Sequence, residues 1–113
     1  MAIEQLAQDF TKAVAEDRME DVRAMWHDDI ESHEPNDGPM SHVKGRDALR
    51  EKHDWWEANT EVHSSSAEGP FVFGDQFAVR YDMDVTMDGE RSQMKEVGVY
   101  TVRDGKVAEE RFF

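Results

Sequence analysis

Two Asp-Gly dipeptides, Asp88-Gly89 and Asp104-Gly105, do most to limit what this chain can fold into. Each separates stretches that alternate apolar with polar residues. An Asp-Gly pair in that setting is the strongest short-range signal for a β-hairpin with a two-residue turn. If both turns close in this way, the register follows. Met83 falls opposite Met94, Tyr81 opposite Glu96 and Phe77 opposite Tyr100. On the next pair, Tyr100 falls opposite Glu109, Gly98 opposite Arg111 and Glu96 opposite Phe113. Strand side chains alternate between faces. One face therefore collects Phe77, Val79, Tyr81, Met83, Val85, Met94, Glu96, Tyr100, Val102 and Val107, together with Glu109, Arg111 and Phe113. The other collects Arg80, Asp82, Asp84, Lys95, Val97, Val99, Glu110 and Phe112, with Asp82 opposite Lys95 as a solvent-side pair.

The first face is the more apolar and is expected to meet whatever covers the sheet. The chain before residue 60 supplies that cover. Ile3, Leu6, Ala7, Phe10 and Val14 recur at helical spacing, which predicts an amphipathic helix over 3–16. Asp17 with Glu20 resembles a capping box and opens a short second helix carrying Val22, Met25 and Trp26 inward. Residues 28–34 read as a short extended piece, and the Pro-Asn-Asp-Gly-Pro run at 35–39 as a loop. A third helix is expected over 45–59, with Leu49, His53 and Trp56 on one stripe. Gly74-Asp75 adds a third turn. Helices first and an antiparallel meander afterwards define an α+β domain.

At 113 residues the chain is one domain, 1–113, with no repeat or linker. It has no cysteine, which excludes disulfides and thiolate chemistry. A formal charge of −13 opposes binding to nucleic acid and to anionic membranes, so neither is an expected partner. The N-terminus lacks the basic start and apolar centre of a signal peptide, and the expected location is the cytoplasm.

Several stretches carry a family resemblance. They are Val43-Lys44-Gly45-Arg46, Trp55-Trp56-Glu57, Glu61-Val62-His63, Gly69-Pro70-Phe71, Glu96-Val97-Gly98-Val99-Tyr100, Arg103-Asp104-Gly105-Lys106-Val107 and the terminal Glu109-Glu110-Arg111-Phe112-Phe113. With them, the whole chain resembles a SnoaL-like domain of the nuclear transport factor 2-like superfamily, which includes ketosteroid isomerases and polyketide cyclases. The resemblance implies a cystatin-like cone: three helices on a curved antiparallel sheet around an apolar pocket. It also implies a homodimer through the outer sheet face. Asp28-Asp29-Ile30-Glu31-Ser32-His33-Glu34-Pro35 resembles the steroid-isomerase segment in which the catalytic carboxylate precedes a proline, which places Glu34 at the general-base position. Those enzymes use a buried acid on a strand and a tyrosine of the first helix as an oxyanion hole. Glu96 sits on a comparable strand. The first helix here has no tyrosine, so Tyr81 or Tyr100 would supply the phenol.

Glu34, Glu96, Tyr81 and Tyr100 are thus the candidate catalytic residues. Trp26, His33, His53 and Trp56 are candidate ligand contacts from the first half of the chain. Met83, Met94, Glu109 and Arg111 are candidates from the sheet. Each has a plain alternative. Glu34 can be an exposed carboxylate at a loop start, Glu96 a structural partner of Arg111, Glu109 and Arg111 an internal salt bridge, and the aromatics simple core. The five histidines show no tight metal-ligand spacing, so no metal is expected, and no cofactor-binding motif is present. Three functional classes remain open. One is a cofactor-free isomerase, cyclase or dehydratase working by carboxylate proton transfer on a small apolar or weakly polar molecule. The second is a non-catalytic binder of such a molecule. The third is a dimeric module with a vestigial pocket.

Overall fold

A computed structural model describes residues 2–113. Helices α1 (Ala2–Ala15) and α2 (Met19–Ala24) precede strands β1 (Trp26–His33) and β2 (His42–Lys44). Helix α3 (Arg46–Asn59) follows, and then β3 (Thr60–Phe73), β4 (Gln76–Met87), β5 (Glu90–Arg103) and β6 (Lys106–Phe112). The six strands form one sheet in the order β2-β1-β6-β5-β4-β3. All pairings are antiparallel except β1 with β6, which run parallel. No helix among the described residues is long and apolar enough to cross a membrane.

Helix α1 buries Ala7, Phe10 and Ala13 against the sheet. It ends in a Schellman turn: the Arg18 amide donates to the Ala13 carbonyl and the Asp17 amide to the Val14 carbonyl. Asp17 therefore occupies the left-handed position at the end of α1, with φ +56. The expected capping box is absent, because Arg18 caps α2 and makes no side-chain capping bond. Helix α2 stops at Ala24, so Trp26 opens β1 instead of continuing the helix.

Both Asp-Gly pairs take positive φ at each residue, as a type I′ hairpin turn requires. The β4–β5 register is the expected one: Met83 faces Met94, Tyr81 faces Glu96 and Phe77 faces Tyr100. Burial follows the predicted face, with Phe77, Val79, Tyr81, Val85 and Tyr100 all inside. Phe10 of α1 closes the centre, its ring 4.7 Å from that of Tyr100 and 5.5 Å from that of Phe77.

The β5–β6 register departs from expectation by one residue. Val102 faces Val107 as the turn dictates, but Thr101 faces Glu109 and Tyr100 faces Glu110. Ala108 is the extra residue of a β-bulge. Such a slip exchanges the faces of everything beyond it. Glu110 and Phe112 consequently turn inward, whereas Glu109 and Arg111 turn outward, and Phe113 pairs through its backbone with Val97, not Glu96.

A carboxylate cluster on the inner sheet face as candidate functional site

Alternation along β1 sends Ile30 and Ser32 inward, both fully buried. Parallel pairing sets Ser32 beside Glu110. The Ser32 hydroxyl donates to Glu110 Oε2 at 2.7 Å. From above, Lys52 of α3 donates its Nζ to Ser32 Oγ at 2.8 Å and lies 2.5 Å from Glu34 Oε2. Its ammonium also stands 5.7 Å from the centre of the Phe112 ring. The result is a continuous chain Glu34–Lys52–Ser32–Glu110, a third exposed at Glu34 and closed at Glu110.

Glu96 approaches the same group from β5. Burial pushes its pKa up, the charge of Glu34 adds to the rise, and Lys52 opposes it. Glu110 is pushed up to about 7, chiefly by burial. The Ser32 bond and Lys52 pull it down, while Glu34 and Glu96 push it further. One ammonium cannot neutralise three carboxylates, and the two on the sheet, Glu96 and Glu110, are the ones whose pKa rises.

The other candidates fall in four places. Tyr81 and Tyr100 are core residues whose hydroxyls lie 2.6 Å apart, each the other's partner. Burial, above all, holds both phenols above their ordinary pKa. Met83 and Met94 face one another, half-buried, beside the Tyr81–Glu96 pair, and Trp56 is half-buried on α3. Trp26 is buried, and His53 packs edge-on against it at 5.3 Å. Burial, helped by Lys52 and Arg23, lowers His53 to about 4, so it is neutral at physiological pH. Trp26 also borders two shallow clefts of about 210 and 390 Å³, lined largely by charged residues such as Arg46, and neither includes a residue of the carboxylate cluster.

Glu109 and Arg111 stand on the face opposite to the one expected. The bulge at Ala108 puts both on the outer face, where Arg111 Nε is 3.6 Å from Glu109 Oε1. Arg111 is therefore no partner of Glu96. His33 is also on the outer face, stacked on His42 with ring centres 4.4 Å apart. His42 lies 2.9 Å from Glu31 and holds its carboxyl below the usual pKa. Burial, the Arg111 charge and His42 lower the His33 pKa.

Sequence reasoning missed Lys52, Ser32 and Glu110. Lys52 was within reach, since it follows Leu49 by three positions and precedes Trp56 by four on the inward stripe of α3. Ser32 shares its face with Ile30. Only Glu110 had no signal, because a bulge without glycine leaves no mark in the pattern.

The model of the SnoaL-like domain matches residues 1–113. A crystal structure from Mesorhizobium loti, described as a candidate SnoaL-like polyketide cyclase and also labelled carbohydrate phosphatase, shares 47% identity. It superposes with a TM-score of 0.96 over 100% of this chain and 99% of its own. A nuclear transport factor 2-like protein of unknown function from Burkholderia pseudomallei gives 0.78 at 15% identity, over 100% and 90% of the two chains. A candidate isomerase from Bacillus subtilis gives 0.75 at 14%, over 98% and 84%. The search of curated proteins returns no match. By full-length family match and by its likeness to the Mesorhizobium loti protein, the chain belongs to the SnoaL-like domain family.

Proposed function

We propose that the protein is an enzyme that moves a proton on a small, weakly polar carbonyl compound, using its own carboxylates. The observation that carries this reading is the gathering of Glu34, Glu96 and Glu110 around the ammonium of Lys52, with burial raising Glu96 and Glu110 above the ordinary carboxyl pKa. Groups poised near the working pH suit general acid–base chemistry. Glu34 is the accessible member and the base: an oxygen of its carboxylate takes a proton from carbon next to the carbonyl. The C–H electron pair moves into the developing enolate, whose oxygen accepts a hydrogen bond from protonated Glu96. Once Glu34 is neutral, the Lys52 charge it had balanced supports the enolate. Return of the proton to a different carbon completes an isomerisation. Met83 and Met94 beside Glu96 offer the apolar wall. The cyclase and isomerase descriptions of the Mesorhizobium loti and Bacillus subtilis proteins agree with this class of chemistry.

The test is deuterium exchange at the α-carbon of a panel of small cyclic ketones and 1,3-dicarbonyls, followed by proton NMR. Wild type should exchange at least one member faster than buffer. Glu34→Gln should abolish that acceleration with an unchanged melting temperature. An inactive wild type over the whole panel, or an active Glu34→Gln, overturns the reading.

The same proposal takes the protein as a homodimer through the outer face of β3–β5. Phe71 and Phe73 are about half exposed there, on the face of half-buried Val97 and Val99. Light scattering should give a dimer for wild type and a monomer for Phe71→Asp/Phe73→Asp. A monomeric wild type removes the dimer from the reading.

A further inference from the structure

We propose that Glu31, His33 and His42, with Glu109 as a fourth donor, bind one divalent transition-metal ion of the zinc class on the outer face of the sheet. Nothing in the spacing of the histidines announces it; the topology does the assembling. Glu31 and His33 are alternate residues of β1 and so share a face. Antiparallel pairing sets His42 of β2 directly opposite His33, and parallel pairing sets Glu109 of β6 beside Glu31. One ligand atom from each of Glu31, His33 and His42 lies within 4.8 Å of the other two.

The individual separations are close to what an ion needs. Glu31 Oε1 is 2.9 Å from His42 Nε2 and 4.0 Å from His33 Nε2. Glu109 Oε2 is 3.8 Å from His33 Nε2. In a tetrahedral zinc centre with bonds of about 2.0–2.1 Å, donor atoms stand roughly 3.3–3.4 Å apart. For these three pairs the changes required are about half an ångström each, within reach of side-chain rotation on strands already in register. The stacked imidazoles must turn to present both nitrogens to one point. Two imidazoles with two carboxylates form a donor set for zinc, cobalt, nickel or copper, not for magnesium or calcium, which take oxygen ligands. The two carboxylates balance the ion's charge. Lys44 and Arg111 flank the group on the same face, and Arg111 must release Glu109 as the ion enters. His42 is more than half exposed, so the ion has an open path.

The experiment uses the full chain without an affinity tag, stripped with a chelator and titrated with zinc chloride by calorimetry. Cobalt chloride serves as a spectroscopic probe. Wild type should bind one zinc per chain. The cobalt form should show the intense visible absorption of four-coordinate cobalt. At about 100-fold excess over Kd, zinc should raise the melting temperature by roughly 10 °C. His33→Ala and His42→Ala should each weaken binding by more than the roughly 10- to 100-fold expected for an outer-shell partner. His42 is exposed, so metal-free His42→Ala should melt with wild type. His63→Ala, on β3 beside Thr86, should bind as wild type does. Absence of saturable zinc binding, or wild-type affinity in both His33→Ala and His42→Ala, overturns the proposal. Neither result bears on the carboxylate cluster, which lies on the opposite face of the sheet.

Discussion

The phenol of Tyr100 reaches Tyr81 across the strand because residue 98 has no side chain. A Cβ at Gly98 would stand 2.6 Å from the Tyr100 hydroxyl and 2.9 Å from its ring carbon Cζ. Gly98→Ala should therefore cost about 1–3 kcal/mol, the usual penalty of overpacking a core, in urea denaturation. The pair itself obeys the asymmetry of buried hydrogen bonds. Tyr81→Phe leaves the Tyr100 hydroxyl unpaired and should cost about 1–3 kcal/mol, whereas the double change to Phe should recover most of that loss. A double-mutant cycle by denaturation measures the coupling; additive single losses would show that the hydroxyls have other partners. The sequence did reveal that both tyrosines face inward, since a two-residue turn at Asp88-Gly89 fixes their register. It could not reveal that they would spend their hydroxyls on each other. That depends on a glycine two positions away and on the angle at which the ring lies down.

Strand β6 shows how far local pattern reaches. Its pairing is legible from Arg103–Lys106 to Val102–Val107, and then one additional residue, Ala108, reverses the faces of the remainder. Alternation remains a sound guide to either side of a bulge but does not announce one, so the pattern places Glu110 on the outer face whereas its carboxyl is buried. The same limit applies to β1 and β2. Residues 28–34 were legible as extended and β2 was not, and the juxtaposition of His33 and His42 belongs to a pairing that no nearby turn dictates. Helix α3 makes the complementary point. It was legible as a helix, and its contribution is the single ammonium it lowers onto the sheet. Lys52→Met removes the charge that depresses Glu110. The Glu110 side-chain carboxyl, followed by carbon-detected NMR, should then titrate above the value of about 7 reached with Lys52 present. A lower value would mean that the ammonium does not act on Glu110.

At the scale of the molecule, two buried groups set opposing pH trends. Glu110 is raised from 4.5 to about 7, so between those values the folded state holds a proton that the unfolded chain has lost, and stability falls as pH rises. His53 is lowered from 6.5 to about 4, so between those values the unfolded chain holds the extra proton, and stability rises with pH. Each effect is on the order of 3 kcal/mol over its full range, and the two overlap between 4.5 and 6.5 with opposite signs. Wild type should be nearly flat across that overlap in denaturant melts. Glu110→Gln should unmask a rise with pH, and His53→Phe should unmask a fall. A steep wild-type slope there would show that these two groups do not govern the pH dependence of stability in that range. The order of elements and the α+β class were legible at this scale, because helical spacing and hairpin turns are short-range signals. The cluster that draws on β1, α3, β5 and β6 was only partly legible, because it is made by long-range pairing.

Strand β1 is a partition between two compartments. Residues 31 and 33 belong to one side and residue 32 to the other, so the hydroxyl of Ser32 hangs from the same stretch of backbone that carries Glu31 and His33. Communication from one side to the other would need no relay of helices or loops, because the wall is a single peptide thick.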